Sequence, residues 1–161
     1  MRVTRRERAP IEVARGERVL AWAQSAEGPV GGTRDALYVP GARIPWEQVE
    51  AADWDSDFSV LRVSEVGTWG VVRPMHKFSF EEPGLLLELV RERVTASVVL
   101  QRHIAVEGRR GLRVIARRAP RGDRPLSWMY EYDEGIDPAD PLVQQAAGEA
   151  LAAARDEVGE V

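Results

Sequence analysis

ALYVPGARIPWEQVEAADWDSDFSVLRV, residues 36–63, contains three β-type runs, of which the first two are separated by proline and glycine turn residues and by Trp46. Short runs bounded by turn signals are typical of consecutive antiparallel strands. The first run lies within TRDALYV, the second covers residues 49–54, and FSVLRVSEV follows as the next strand. The stretch therefore predicts part of a small antiparallel sheet or barrel.

Strand signals extend to both sides of this stretch. ERVLAWAQ, from Glu17, is β-type and ends in SAEGPVGG, whose glycines and proline indicate a turn before the next strand. GTWGVV and HKFSF have shorter β-type patterns further along the chain. Strands at intervals of about ten residues predict an antiparallel sandwich or barrel.

A helix follows these strands. Apolar residues recur every four positions in EEPGLLLELVRERVTASVVLQ, at Leu86, Val90, Val94 and Val98. Pro83 and two glutamates precede them, and both residue types favour a helix N-terminus. The pattern predicts a helix from Pro83 with a broad apolar face, and the β-branched residues from Thr95 onward leave its end open.

A C-terminal β-hairpin and a last helix complete the predicted elements. GLRVIARRAP and LSWMYEYDEG alternate apolar and polar residues, as strands do. Antiparallel pairing of these strands places four charged side chains across from one another, Arg113, Arg117, Glu131 and Asp133. The last helix is predicted to begin at the N-cap residue Asp140. Its predicted apolar side consists of Leu142, Ala146, Ala150 and Ala153.

Composition limits the class of protein. The chain has 161 residues, a formal net charge of -4 and no cysteine, which excludes a disulfide framework, a thiolate zinc site and a cysteine nucleophile. No apolar run approaches the roughly 20 residues of a membrane span. No apolar segment follows the basic MRVTRRERAP either. These features predict a soluble, cytoplasmic protein.

The order of strands followed by a long helix resembles the pleckstrin-homology-like barrels of bacteria, in which a curved sheet is closed by an amphipathic helix. The resemblance rests on TRDALYV, RIPWEQVEAADWD and EEPGLLLELVRERV, and it covers residues 17–101. It implies a binding module for peptides, partner proteins or lipid headgroups, since such domains are rarely enzymes. The loop between the first two predicted strands has no basic residue, so lipid-headgroup binding is unsupported. The chain also resembles uncharacterised conserved proteins of actinobacteria, which implies no activity.

The expected organisation is a flexible basic arm, residues 1–10, and a single α+β domain, residues 11–161. Within the domain, the barrel-like part is followed by the hairpin and helix at residues 102–158. The fold expected is thus an antiparallel barrel or bent sheet closed by a helix, with these two elements added.

Exposed tryptophans are the first candidate site. A small barrel does not easily bury all of Trp22, Trp46, Trp54 and Trp69, and tryptophan is enriched among residues that dominate interface energies. We expect a protein partner to bind a sheet edge or an exposed tryptophan among Trp46, Trp54 and Trp69. A second aromatic series is expected to form core against the last helix, with stacking on bases or peptide binding as the alternative: Trp128, Tyr130 and Tyr132.

A block of arginines is the second candidate site. Arginine clusters are typical of nucleic-acid binding because they neutralise phosphates. Pairing with the acidic residues that follow, in the range 131–161, is the alternative. The block consists of Arg109, Arg110, Arg113, Arg117, Arg118, Arg121 and Arg124.

Two acidic groups resemble chemical sites only in part. The first resembles the opening of a calcium loop, Asp53, Asp55 and Asp57. Phe58 stands where that loop needs glycine and Ser64 where it needs a bidentate glutamate. The second has turn and cap positions, with cation binding or acid–base chemistry as the alternative: Asp133, Glu134, Asp137 and Asp140.

No catalytic, metal or cofactor motif is recognised. His76 and His103 lack metal-ligand spacing, and no phosphate loop or nucleophile motif is present. The sequence therefore predicts a non-catalytic binding or scaffold module that recognises a protein partner and takes no cofactor. Nucleic-acid binding through the arginine block is the alternative.

Overall fold

The computed structural model describes residues 8–67, 74–121 and 124–159. Its strands form three antiparallel sheets, accompanied by two α-helices, which confirms the predicted α+β class. The described strands do not close into a barrel. A single bridge between Ser25 and Phe80 joins the first sheet to the end of the second.

The elements follow the chain in a simple order. The first sheet contains β1 (Ala21–Ser25), β2 (Gly28–Gly32), β3 (Ala36–Val39) and β4 (Ala42–Pro45). A short 3-10 helix (Trp46–Gln48) leads into the second sheet, which contains β5 (Val49–Asp55), β6 (Val60–Glu65) and β7 (Met75–Ser79). Helix α1 (Leu86–Ser97) continues into the third sheet, which contains β8 (Val98–Glu107), β9 (Arg110–Arg117) and β10 (Ser127–Tyr132), and α2 (Pro141–Glu157) ends the fold. In the third sheet β9 is the central strand.

Two hydrophobic cores result. The first lies between the first two sheets and α1, and includes the fully buried Trp46 and Leu37. The second lies between the third sheet and α2, and includes Leu112 and Val143. The predicted strand GTWGVV lies almost entirely outside the described residues.

Strand β2 occupies a segment that was predicted as a turn. The interpretation of SAEGPVGG as a turn is wrong for its last five residues, which pair with β1 and β3. The glycines permit close packing there. A Cβ on Gly31 would lie 2.6 Å from Ile11 Cδ1, and one on Gly32 would lie 2.7 Å from Leu89 Cδ2. Strand β4 was likewise predicted as a turn, because it is short and bounded by prolines.

Helix α1 has the predicted apolar face but different ends. It begins three residues after the predicted start and ends at Ser97. Leu86 and Val90 are buried and Val94 packs against the same core, as predicted. Val98 lies in β8 instead, because β-branched side chains favour extended backbone.

The C-terminal unit contains one strand more than was predicted. Strands β9 and β10 pair antiparallel as expected, but β8 pairs with the other side of β9. The predicted division between residues 101 and 102 therefore falls inside β8. Arg113 lies opposite Glu131, as predicted, whereas Arg117 lies opposite Ser127 and not opposite an acidic residue.

Helix α2 starts as predicted, and its packed side shares Ala146 and Ala150 with the predicted one but is rotated away from Leu142 and Ala153. Asp140 Oδ1 accepts a hydrogen bond of 2.9 Å from Leu142 N, which confirms the N-cap. The buried residues are Val143, Ala147, Ala150 and Ala154. Leu142, expected on the apolar side, is 70% exposed. Alanine occupies both stripes of the helix, so hydropathy alone does not distinguish them, and the larger Val143 is the residue that the third sheet accommodates.

Arg117 connects the two halves of the fold. Its side chain is buried, and its guanidinium donates to Ser97 Oγ (2.8 Å), Val94 O (3.3 Å) and Glu50 O (2.9 Å). Burial lowers the pKa of Arg117, and the charges of Glu50 and Glu131 oppose this effect only in part. An arginine reaches acceptors on α1 and β5 together because its guanidinium presents several donors in one plane.

Candidate functional site

Strand β8 forms one edge of the third sheet. It pairs with β9, and no other described strand pairs with it. The register shifts between Val98 and Leu100 and again between Ala105 and Glu107. Residues 100–105 are therefore the regular part, roughly 20 Å long at the usual rise per residue. Such an edge presents unpaired backbone N–H and C=O groups to which another chain can add.

Gly111 lies next to the second of these irregularities. It is the partner of Ala105 in the pairing of β8 with β9. A Cβ at Gly111 would overlap the carbonyl group of Ile104. Backbone cannot move aside as the end of a side chain can, so this close approach requires glycine.

A groove of about 430 Å³ runs between β8 and α2. Ile104 of β8 contributes to its lining, together with alanines of α2, Ala146, Ala150, Ala153 and Ala154. Arg102, Glu149 and Glu157 add charge, and an Arg102–Glu157 ion pair ties β8 to the end of α2. Since α2 lies closest to β8 and β9, it covers the sheet toward the β8 edge. The apolar groove and the free edge thus coincide.

The two histidines form separate pairs. His103 Nε2 of β8 lies 2.8 Å from Asp133 Oδ2, which also accepts a hydrogen bond of 2.8 Å from Gly111 N. The hydrogen bond from His103, followed by that from Gly111, lowers the pKa of Asp133. His76 pairs with Glu65 at 2.8 Å in the second sheet. Within the described chain no serine or threonine hydroxyl is hydrogen-bonded to either histidine, so neither pair has the form of a nucleophile–base pair.

The tryptophans do not form one surface. Trp46 is fully buried, and its Nε1 donates to Thr33 O at 2.8 Å, so the expectation that Trp46 is exposed to a partner is wrong. Trp54 is half-buried against the first core, with its ring centroid 6.5 Å from that of Phe80. Trp69 lies outside the described residues. Of the two candidates that the structure describes, Trp54 alone keeps an exposed part that a partner can contact.

The second aromatic series packs as predicted. Trp128, Tyr130 and Tyr132 are partly buried and pack against the second core. Tyr130 Oη donates to Ala147 O at 3.2 Å, and burial raises the pKa of its phenol. The Arg155 guanidinium lies 5.9 Å from the centroid of the Trp128 ring. These rings therefore hold α2 on the sheet.

The arginine block is dispersed. Arg117 is buried, Arg113 is half-buried opposite Glu131, and Arg121 Nε lies 2.9 Å from Asp35 Oδ1. The exposed arginines are divided between the two ends of β9, with Arg109 and Arg110 at one end and Arg118, Arg121 and Arg124 at the other. An eight-residue strand separates these ends by roughly 25 Å. One continuous basic face of all seven arginines is therefore not formed.

The acidic groups have local structural roles. Asp55 Oδ1 accepts hydrogen bonds from Asp57 N (3.0 Å) and Phe58 N (3.2 Å) at the hairpin between β5 and β6. Asp137 Oδ1 accepts one from Ala139 N (2.9 Å) in the turn before α2. Over the described ranges, no three His, Cys, Asp or Glu residues are placed to hold a metal ion. The expected roles in turns and caps are found for these carboxylates.

A second cavity, the polar pocket, has a volume of about 230 Å³ and lies where the first sheet meets the residues after β9. Its charged lining comprises Arg15, Glu17, Asp35, Arg43, Glu47, Arg121 and Arg124. Arg121 and Arg124 were predicted to share a nucleic-acid site, but no pocket that joins them to the other five residues was predicted. They come from distant segments, and no short-range spacing indicates that the fold brings them together.

Both carboxylate oxygens of Glu17, in the polar pocket, accept hydrogen bonds. Its Oε1 accepts from Thr33 Oγ1 (2.7 Å) and its Oε2 from Arg43 Nη2 (3.0 Å), and its side chain is 7% exposed. Burial alone would raise the pKa of Glu17. Hydrogen bonds from Thr33, Arg43 and Tyr38 outweigh it and leave the pKa below its ordinary value.

We expect Glu17 to make the fold sensitive to acid. Because its pKa is lower in the folded than in the unfolded chain, its contribution to stability is complete above the unfolded value near 4.5. This contribution is lost as the pH falls through the folded value. Urea unfolding at a series of pH values should therefore show a shallower acid loss of unfolding free energy for Glu17→Gln than for the wild type. The exposed Glu12 provides the control, Glu12→Gln, which should follow the wild type. An unchanged slope for Glu17→Gln would contradict the prediction.

Comparison with protein-family models, curated proteins and solved structures found no match to this chain. Among the described residues, no helix has both the length and the apolar character needed to cross a membrane. The β8 edge, the groove beside α2 and the polar pocket are therefore the features from which a function is inferred.

Proposed function

We propose that this protein is a non-catalytic binding module that holds an extended segment of a protein partner along β8. The partner segment adds a fourth strand to the third sheet. The observation that carries the proposal is the coincidence of a free strand edge with an apolar groove at that edge. Strand addition of this kind combines main-chain hydrogen bonds with pockets for alternate side chains.

The backbone sets the length of the segment. Residues 100–105 pair regularly with β9, and register shifts interrupt the pairing on both sides. A partner strand is therefore expected to pair over about six residues. The outward N–H and C=O groups of β8 provide affinity without specifying the partner's sequence.

The groove sets the sequence of the segment. Successive side chains of a strand point to opposite faces, so every second partner residue would point toward α2. Ile104 and Ala153 line the groove there, and small alanines leave room for Val, Ile or Leu. The exposed Glu149 on the same groove favours a Lys or Arg in the partner.

Charged residues of β8 limit indiscriminate pairing. Arg102, His103 and Glu107 are exposed on this strand, and charges and bulges are common devices against edge-to-edge aggregation. The edge is therefore expected to select a complementary segment instead of any extended chain.

We also propose that the N-terminal half, with the first two sheets and α1, is a pleckstrin-homology-like unit. Its four-stranded and three-stranded antiparallel sheets share one core with the helix that follows them. The Ser25–Phe80 bridge brings the two sheets together at one corner. Domains of this kind hold peptides or partner proteins, in agreement with a non-catalytic role.

A matched pair of α2 variants tests the peptide site. Ala153 lines the groove and Ala152 does not, although both are exposed alanines of the same helix. Peptides selected from a random 12-residue display library should have alternating apolar residues. They should bind Ala153→Arg at least about tenfold more weakly than the wild type, a loss near 1.4 kcal/mol. Ala152→Arg should bind like the wild type. Bound peptide should also slow amide hydrogen exchange in residues 100–105.

Two outcomes would contradict the proposal. Selected peptides that bind Ala153→Arg as tightly as the wild type would place the site elsewhere. Binding of a duplex oligonucleotide that falls steeply with salt and weakens in Arg109→Gln or Arg118→Gln would favour the nucleic-acid alternative. Because the exposed arginines lie at opposite ends of β9, we expect neither variant to change such binding strongly.

A further inference from the structure

Glu47 contributes an unsatisfied carboxylate to the polar pocket. The residue lines the pocket and is 8% exposed. Its Oε2 atom is buried and has no hydrogen-bond partner in the described part of the chain. Buried carboxylate oxygens nearly always have donors, because losing water without replacement is unfavourable. A residue of the pocket wall therefore has a carboxylate oxygen without a donor.

The other acids of the pocket already have partners. Arg43 Nη2 lies 3.0 Å from Glu17 Oε2, and Arg121 Nε lies 2.9 Å from Asp35 Oδ1. Within each pair the arginine neutralises the charge of its carboxylate. Glu47 Oε2 is left as the carboxylate oxygen of the pocket residues that has no donor in the described chain.

Two arginines of the polar pocket have guanidinium groups without a partner among the described residues. Arg15 and Arg124 line the same pocket and are exposed. Neither side chain has an ion pair or hydrogen bond with the residues that the structure describes. Arginine binds carboxylates through two parallel N–H donors, which makes either residue a suitable anchor for a carboxylate.

The chemistry of the ligand follows from these two features together. A simple anion would meet the Glu47 carboxylate, and a simple amine or metal ion would meet Arg15 and Arg124. A molecule with both an ammonium and a carboxylate satisfies both sides. The volume of about 230 Å³ suits a molecule of amino-acid size.

We propose that the polar pocket binds a free amino acid. Its ammonium donates to Glu47 Oε2, and its carboxylate accepts from Arg15 or Arg124. The site is distinct from the β8 edge, since none of its residues lines the groove beside α2. It joins the first sheet to the residues after β9, so a bound amino acid should stabilise the junction between the two halves.

Calorimetric titration with the twenty standard amino acids, one at a time, tests the proposal on the whole chain. At least one should bind saturably and raise the melting temperature, as a ligand specific for the folded state does. Acetate and methylamine, which each carry one of the two charges, should bind much more weakly. Glu47→Gln and the double variant Arg15→Gln/Arg124→Gln should each lower the affinity at least about tenfold, and Arg109→Gln, at the far end of β9, should leave it unchanged.

The unliganded variants separate binding from folding. Glu47→Gln should keep or raise the melting temperature without ligand, because it replaces an unsatisfied buried charge with a neutral group. Saturable binding that Glu47→Gln abolishes in a folded protein would therefore support the site. The absence of saturable binding by all twenty amino acids, or equal binding by Glu47→Gln, would overturn the proposal and leave the carboxylate as a structural feature.

Discussion

Trp46→Ala should lower the free energy of unfolding by about 3–5 kcal/mol, because it removes a large side chain from a closed core. Trp46 is fully buried in the first core, and its indole N–H bonds to Thr33 O. The substitution loses the packing of the ring and leaves the carbonyl oxygen without this donor. Urea unfolding followed by circular dichroism measures the change.

Trp46→Phe is the matched variant for this prediction. Phenylalanine restores part of the volume but not the N–H group, so the loss should be smaller than for alanine and still above about 1 kcal/mol. If Trp46 were instead an exposed partner contact, both variants would stay within about 0.5 kcal/mol of the wild type. That outcome would contradict the burial described here.

Arg117→Ala should destabilise the protein by about 3 kcal/mol or more, since each hydrogen bond to a charged group contributes about 1.5–3 kcal/mol. Three acceptors lose their donor in this variant: Ser97 Oγ, Val94 O and Glu50 O. The cost of burying the guanidinium, whose Nε has no partner in the described chain, offsets part of this loss. Urea unfolding provides the measurement.

Two neighbouring variants control for charge and volume at this position. Arg118→Ala removes the next arginine, which is exposed, and should change stability by no more than about 0.5 kcal/mol. Arg117→Met fills much of the same volume without a charge and should lose less than Arg117→Ala. Equal stability of Arg117→Ala and the wild type would mean that the two halves are held together without this side chain.

Local signals predicted local structure well. The cap at Asp140, the run of residues 49–54 and the pairing of β9 with β10 depend on nearby residues, and the structure contains all three. The prediction of a turn at GPVGG was wrong because its glycines allow close packing with Ile11 and Leu89, which come from distant parts of the chain.

Burial and the polar pocket required the tertiary structure. The sequence does not reveal that Trp46 is enclosed while Trp54 is only half-buried, because the burial of each ring depends on residues that are distant in the sequence. The pocket joins residues as distant as Arg15 and Arg124. A sheet edge was predicted as a binding surface, but choosing β8 required knowing that α2 extends to that edge.

The close approach of Gly111 to the Ile104 carbonyl limits which residues can change in this hairpin during evolution. Gly108 has a φ of +60° in the turn between β8 and β9, and Gly111 has no room for a Cβ. Arg109 and Arg110 between them are exposed, and nothing in the packing prevents their replacement during evolution. Gly108 and Gly111 should therefore be conserved in this hairpin, and distant relatives that have lost the two arginines should still have both glycines.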